Sequence, residues 1–180
     1  AISDNMSVRA PRGTVRAFDA RSGAPRWAFD PIPRDAAAAA AQGWHGEALP
    51  VEGHANVWAS MSVDAARGLV FLPTSSPSPD FFGGLRPGDN RYADSVVALD
   101  AATGTVRWAF QTVHHDVWDY DVAAQPLLVT IRVNGVTRDV VIQPTKMGLI
   151  LASGRPSKRK RSGPARAASR EGTPPRTPAA

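Results

Sequence analysis

The residues with the most chemical potential are contiguous: His114-His115-Asp116-Val117-Trp118-Asp119-Tyr120-Asp121. The stretch combines two imidazoles, two large aromatics and three carboxylates. Carboxylates beside aromatic rings lose water, and lost water raises a carboxyl pKa toward the range useful for a general base. The plainer reading is a polar loop whose acids hydrogen-bond nearby backbone N–H groups. Spacing alone leaves both open.

The elements around the stretch indicate how it is held. Val106–Gln111 reads as a strand, and 126–133 as another, so the polar segment connects two strands. Connections on a rigid scaffold often carry functional groups. Val15 to Phe29 and Val96 to Phe110 are an internal repeat with a shift of 81 residues, Trp27 matching Trp108. Each copy predicts strand, tight turn, strand: Asp19 or Asp100 opens the turn and Gly23 or Gly104 supplies its left-handed residue. Alternation after the glycine puts Trp on one face and Arg on the other. A tryptophan at the same place in each copy predicts modules that dock on one another.

Between the copies, strands are expected at 57–63 and 68–74, joined by the turn Asp64-Ala65-Ala66-Arg67-Gly68. With 95–100 and 106–111 they make a four-stranded antiparallel unit. A further unit starts with 126–133, turns at Asn134-Gly135, returns through 139–143 and begins a third strand at 149–151. The expected fold is all-β, a partial β-propeller of about two four-stranded blades. Insertions at 30–55 and 75–94 lengthen the period beyond the usual roughly 40–50 residues. Insertions on one face of a propeller commonly build its binding surface. The alanine run Ala36–Ala41 predicts a short helix.

Composition changes abruptly after residue 151. Residues 152–180 contain none of Val, Ile, Leu, Phe, Tyr or Trp. They hold eight Arg or Lys and one Glu, whereas residues 1–151 hold thirteen basic and fifteen acidic side chains. The formal net charge of +5 is therefore a property of the tail. The expected domains are 1–151, the propeller part, and 152–180, a disordered basic tail, since that tail lacks the apolar surface to offset its ordering entropy. Ser157-Lys158-Arg159-Lys160-Arg161 has the composition of a nucleic-acid or localisation patch. An out-of-frame continuation of a GC-rich gene accounts for the tail better, because the blade pattern stops in mid-strand, and no nucleic-acid partner is expected. There is no cysteine, and no apolar run approaches the roughly 20 residues of a membrane span. The opening Ala1-Ile2-Ser3-Asp4-Asn5 is not a signal peptide and reads as the middle of a longer protein.

Several segments together carry a family resemblance. They are Asn56 to Asp64, Asp80 to Asn90, Gln111 to Asp121, Ala124-Gln125-Pro126 and Gln143-Pro144-Thr145-Lys146. Over residues 1–151 the chain resembles an internal piece of a quinoprotein dehydrogenase using pyrroloquinoline quinone (PQQ), nearest to the membrane-bound glucose dehydrogenase type. The resemblance implies an eight-bladed propeller with PQQ in an axial funnel and a divalent metal, Ca²⁺ or Mg²⁺. It implies oxidation of a sugar or alcohol, with ubiquinone as electron acceptor. The implied location is periplasmic, with the inner membrane reached only through an N-terminal part not in this chain. By position, Asp119 matches the catalytic base, Trp58 the indole stacking on PQQ, and Lys146 the cation on the quinone oxygens. Each fits independently: a flat cofactor suits an aromatic floor, a developing oxyanion suits a fixed cation, and proton removal needs a carboxylate. The alternatives are a core tryptophan and a solvated turn lysine. Related alcohol dehydrogenases place an Asn metal ligand near the position of Ser76, so the metal ligands here are unassigned. About two blades of eight predict a chain inactive by itself. The runner-up within the same chemistry is a PQQ alcohol dehydrogenase, and the reading from another class is a non-catalytic propeller binding module.

Overall fold

The computed structural model describes residues 10–45 and 53–156. The basic run Ser157–Arg161 and the rest of the expected tail from 157 onward lie outside these residues.

The repeat folds the same way twice. β1 (Val15–Phe18) pairs antiparallel with β2 (Pro25–Phe29), and β5 (Ser95–Asp100) pairs with β6 (Val106–Gln111). In the first turn Asp19 Oδ1 accepts from the N–H groups of Arg21 and Ser22, at 3.1 and 3.0 Å. In the second, Asp100 Oδ1 accepts from Ala102 and Thr103, at 3.1 and 3.2 Å. Gly23 and Gly104 both have φ of 72°, and each donates its N–H to the Asp carbonyl at 2.8 Å. A short acceptor and a residue tolerant of positive φ are what this turn needs.

β3 (Ser62–Asp64) and β4 (Leu69–Pro73) complete a sheet of order β3-β4-β5-β6. β3 is shorter than the expected strand 57–63. The reason is competition for the backbone: Ala55 N–H donates to Ser76 C=O (3.0 Å) and Asn56 C=O accepts from Ser75 N–H (2.9 Å). That pairing, with positive φ at His54 and Ala55, keeps the chain off the ladder until Ser62, so Trp58 lies outside the strand. A third sheet joins β7 (Leu127–Val133), β8 (Val136–Pro144) and β9 (Ile150–Gly154) in that order. β9 runs past the expected boundary at 151, and its end is fixed by Arg155. Arg155 Nη1 lies 3.1 Å from Asp64 and its Nη2 2.9 Å from Asp139. Arg67 ion-pairs with the same two acids, so two guanidiniums and two carboxylates join the second and third sheets.

The central sheet is buried on both faces. Leu69, Phe71, Val96 and Ala98 pack toward Val122, Leu128 and Val141. Leu72, Val97 and Leu99 pack toward Val15, Trp27 and Phe29 of the first hairpin. This explains why Val96-Val97-Ala98-Leu99 is continuously apolar rather than alternating. All-β architecture, antiparallel modules and the helix α1 (Ala36–Ala41), capped by Asp35 accepting from Ala38 N–H at 2.8 Å, are as the sequence predicts.

The two insertions fold together. Asn90 N–H bonds Gly43 C=O and Arg91 N–H bonds Gln42 C=O, each at 3.0 Å. The Trp44 indole N–H donates to Arg91 C=O. Ile32, Ala39, Trp44, Ala55 and Ala93 form a small core of their own. The strand registers then put the long segments at one end of the sheets: 53–61 before β3, 74–94 between β4 and β5, 112–126 between β6 and β7, and 145–149 between β8 and β9. The opposite end carries tight turns at 65–68, 101–105 and 134–135.

Candidate functional site

The stretch His114–Asp121 is shaped by Asp116. This buried side chain accepts from Trp118 N–H (3.0 Å), Tyr120 N–H (2.8 Å) and the Ser76 hydroxyl (2.6 Å). Those bonds curl the backbone over Asp119, whose φ is 59°. A non-glycine residue held in this region is a local strain that the surrounding bonds must sustain. Here the holding group is Lys146. Its Nζ donates to the Asp119 carbonyl (2.9 Å), to Asp119 Oδ2 (3.1 Å) and to Asp121 Oδ2 (2.8 Å). Asp121 Oδ1 in turn accepts the Ser76 N–H at 2.7 Å.

Two carboxylates thus share one ammonium. Burial pushes Asp119 above the ordinary carboxylate range, the Asp121 charge adds to it, and Lys146 opposes both. Burial acts against the Lys146 charge, but its hydrogen bonds to Asp121 and Asp119 outweigh this and hold its pKa up. Both shifts are upward, although an ion pair alone would lower the acid, because Lys146 serves two acids while Asp119 is partly buried and meets a second negative charge. Asp119 Oδ1 is buried and has no hydrogen-bond partner in the structure. A lone acceptor of this kind in a site is suited to taking a proton from a bound hydroxyl.

Trp58 lies in the segment leading to β3 and is 55% exposed, so it is not a core tryptophan. Its segment meets the Asp119 loop further on: Ser62 Oγ donates to Pro126 C=O, and Gln125 Nε2 to Met61 C=O at 3.1 Å. Gln143, just before Lys146, donates to Ala124 C=O at 2.8 Å. Lys146 and Asp119 are therefore in direct contact, and Trp58 stands on a neighbouring segment at the same end of the sheets. Trp118 is a further large exposed aromatic at this end of the sheets, at 69%.

Ser76 is committed elsewhere. Its hydroxyl lies 2.6 Å from Asp116 and 2.9 Å from Asp94, and it is buried. Among the described residues no group of three or more His, Asp or Glu side chains converges to hold a metal ion. His115 Nδ1 lies 2.9 Å from Gly88 C=O and its ring packs against Gly83, so it braces the insertion. His114 is exposed, 3.6 Å from Asp89. Sequence reasoning missed Asp121, treated as a loop acid, and the buried groups Asp94 and Arg86. Arg86 donates to Asn90 Oδ1 (2.7 Å) and to the carbonyls of Pro79 and Asp116, tying the second insertion to the Asp119 loop. One signal was available for it, an arginine among apolar and Gly/Pro residues in Gly83 to Gly88, but nothing local distinguishes it from a surface arginine.

Antiparallel modules docked through repeated Trp-bearing hairpins, with long loops gathered at one end, define a segment of a β-propeller. The chain belongs to the PQQ-dependent dehydrogenases: residues 1–155 match the family "PQQ: Glucose/ethanol/alcohol dehydrogenase, beta-propeller domain". It is 41% identical over 157 residues to the quinoprotein glucose dehydrogenase of Escherichia coli (strain K12), covering 83% of this chain and 18% of that protein. It is 41% identical over 149 residues to the quinate/shikimate dehydrogenase (quinone) of Acinetobacter baylyi, covering 82% and 18%. Among solved structures, the quinohemoprotein alcohol dehydrogenase of Comamonas testosteroni superposes with a TM-score of 0.74 at 30% identity, over 83% of this chain and 24% of that one. The chain thus spans roughly a fifth of the length of the curated relatives it matches.

Proposed function

We propose that this chain is the segment of a PQQ-dependent dehydrogenase that presents the base, the quinone-binding cation and one aromatic wall. The substrate of the whole enzyme is glucose or a related sugar or polyol. Its electrons pass to ubiquinone at the periplasmic side of the inner membrane. The observation that carries the reading is the Lys146 ammonium held between Asp119 and Asp121 beside an Asp119 oxygen that has no partner.

The residues present fit PQQ. An open indole face suits a flat aromatic acid, and a lysine one-third exposed suits its oxygens. When bound, PQQ supplies an electron-poor quinone carbonyl able to accept a hydride from an alcohol carbon. Trp58 offers the stacking surface and excludes water from one side. Lys146 presents fixed positive charge, which costs no reorganisation when negative charge develops on a neighbouring oxygen. Asp119 accepts the substrate hydroxyl proton at Oδ1. Burial makes it a stronger base than a surface aspartate, and Lys146 opposes that rise. A divalent cation, Ca²⁺ or Mg²⁺, belongs to the same reading, but the described residues do not compose its site and no step is routed through it.

The likeness to a solved quinohemoprotein alcohol dehydrogenase favours a second reading, a simple alcohol as substrate. Comparing glucose with ethanol in the full-length enzyme, reconstituted with PQQ and Ca²⁺, decides between them. Asp119→Asn should retain PQQ binding and lose turnover by about 10²–10⁴-fold; turnover equal to the parent would remove Asp119 from the role. The 180-residue chain alone is expected to show no turnover, because the site is open on the sides that other blades would close. A purified chain that oxidises glucose with PQQ would contradict this.

A further inference from the structure

Three carboxylates converge on Ser76 beneath the Lys146 site. Asp121 accepts its N–H, and Asp94 and Asp116 both lie within hydrogen-bond distance of its hydroxyl. All four residues are buried. A hydroxyl has one proton and cannot donate to two ionised carboxylates. One of the pair must therefore carry a proton and donate it to the Ser76 oxygen. Asp116 already has backbone N–H donors on both oxygens, from Trp118 and Tyr120, and is thereby placed as an acceptor. No comparable set of donors is seen at Asp94.

We infer that Asp94 is a positioning residue, un-ionised at neutral pH, whose proton is donated to Ser76 and orders the chain Asp94–Ser76–Asp116 that shapes the Asp119 loop. Ser76 then donates to Asp116, which holds the turn over Asp119, while the Ser76 N–H holds Asp121 against Lys146. The charged groups facing Asp94 are Asp116 and Asp121 from the loop after β6 and Arg86 from the second insertion. Burial is the main force raising its pKa well above the usual value, the Asp116 charge adds to it, and the Ser76 hydrogen bond opposes. An ionised Asp94 would place three negative charges around one hydroxyl in a dry environment, which the nearby Arg86 charge, itself bonded to Asn90 and backbone carbonyls, offsets only in part. The inference rests on the proposed function only for calling Asp119 the base.

The test is infrared spectroscopy of the full chain with ¹³C-labelled aspartate, together with NMR titration of the Asp119 carboxyl. At pH 7 the parent should show the C=O stretch of an un-ionised carboxyl, and Asp94→Asn should lack it. Asp94→Ala should move the Asp119 titration by about one pH unit. Asp94→Asn should return it, because a carboxamide N–H can donate to Ser76 as the acid O–H does. Absence of the band in the parent, or its persistence in Asp94→Asn, overturns the inference. So does an Asp119 titration indifferent to Asp94→Asn and Asp94→Ala alike. None of these readouts needs PQQ. A failure of the full enzyme to bind PQQ would sink the proposed function and leave the Asp94 result standing.

Discussion

The Trp27 indole N–H donates to the Ala101 carbonyl at 3.0 Å, across 74 residues of sequence, while its ring lies over Gly104. The tryptophan of one repeat thus rests on the turn of the next. A Cβ at Gly104 would come within 2.7 Å of Trp27 Cδ2, and the φ of 72° already disfavours a side chain. Gly104 is therefore required both by its own turn and by its neighbour's tryptophan.

Trp27→Ala should cost about 2 kcal/mol, below the range for a fully buried tryptophan because this one is part-exposed. Gly104→Ala should cost about 1–2 kcal/mol from backbone strain and the ring contact. Urea denaturation of the chain checks both. Because they act at one contact, the double variant should cost less than the sum.

The joint between the second and third sheets should weaken in acid. Burial pushes Asp64 up, but hydrogen bonds from Arg67 and the charges of Arg67 and Arg155 carry its pKa below the usual value. The Thr130 hydroxyl and Arg67 lower Asp139. Acids lowered in the folded state contribute stability that is present above about pH 4 and lost as pH falls through their folded values. Arg155→Ala should lower the urea midpoint more at pH 7 than at pH 2, because protonating the two acids removes its ion pairs. Equal losses at the two pH values would show that Arg155 acts by packing alone.

Trp58→Ala should separate binding from stability. With the indole more than half exposed, its loss should barely change the denaturation midpoint. In the full-length enzyme it should weaken PQQ binding by about tenfold, the scale of one aromatic stacking contact. Fluorescence titration with PQQ measures the second effect, and unaltered affinity would remove Trp58 from the site.

Lys146→Met should raise the Asp119 pKa further, since the opposing charge is gone while burial and Asp121 remain. The acid limb of the pH–rate profile of the full enzyme should move to higher pH, and PQQ affinity should fall. Lys146→Arg keeps the charge and should leave the limb nearer its original position. A limb unmoved by Lys146→Met would show that another group sets it.

Much of this architecture was readable from local chemistry. The Asp and Gly of each turn, the Asn134-Gly135 hairpin and the alanine helix announce themselves because their causes lie within a few residues. The strand expected at 57–63 begins only at Ser62, because the apolar alternation continues back to Val57 whereas the backbone bonds of Ala55 and Asn56 to Ser76 and Ser75 are made some twenty positions away. Arg155 was assigned to the tail because composition turns basic there, yet its partners Asp64 and Asp139 are distant in sequence. The pairing of Lys146 with Asp119 was suggested by the family likeness rather than by spacing, since 27 residues separate them. Asp94 was missed because a buried acid bonded to a serine looks, in sequence, like any polar loop residue.

The two insertions share their backbone bonds and a five-residue core, so neither is an independent ornament on its module. Residues 31–45 and 86–93 are effectively one building part encoded in two places. Anyone transplanting the loop that carries Arg86 into another propeller would have to bring the Trp44 segment with it. For the same reason, substitutions in one are expected to be tolerated only alongside compensating changes in the other, which ties the evolution of two remote stretches of the gene together.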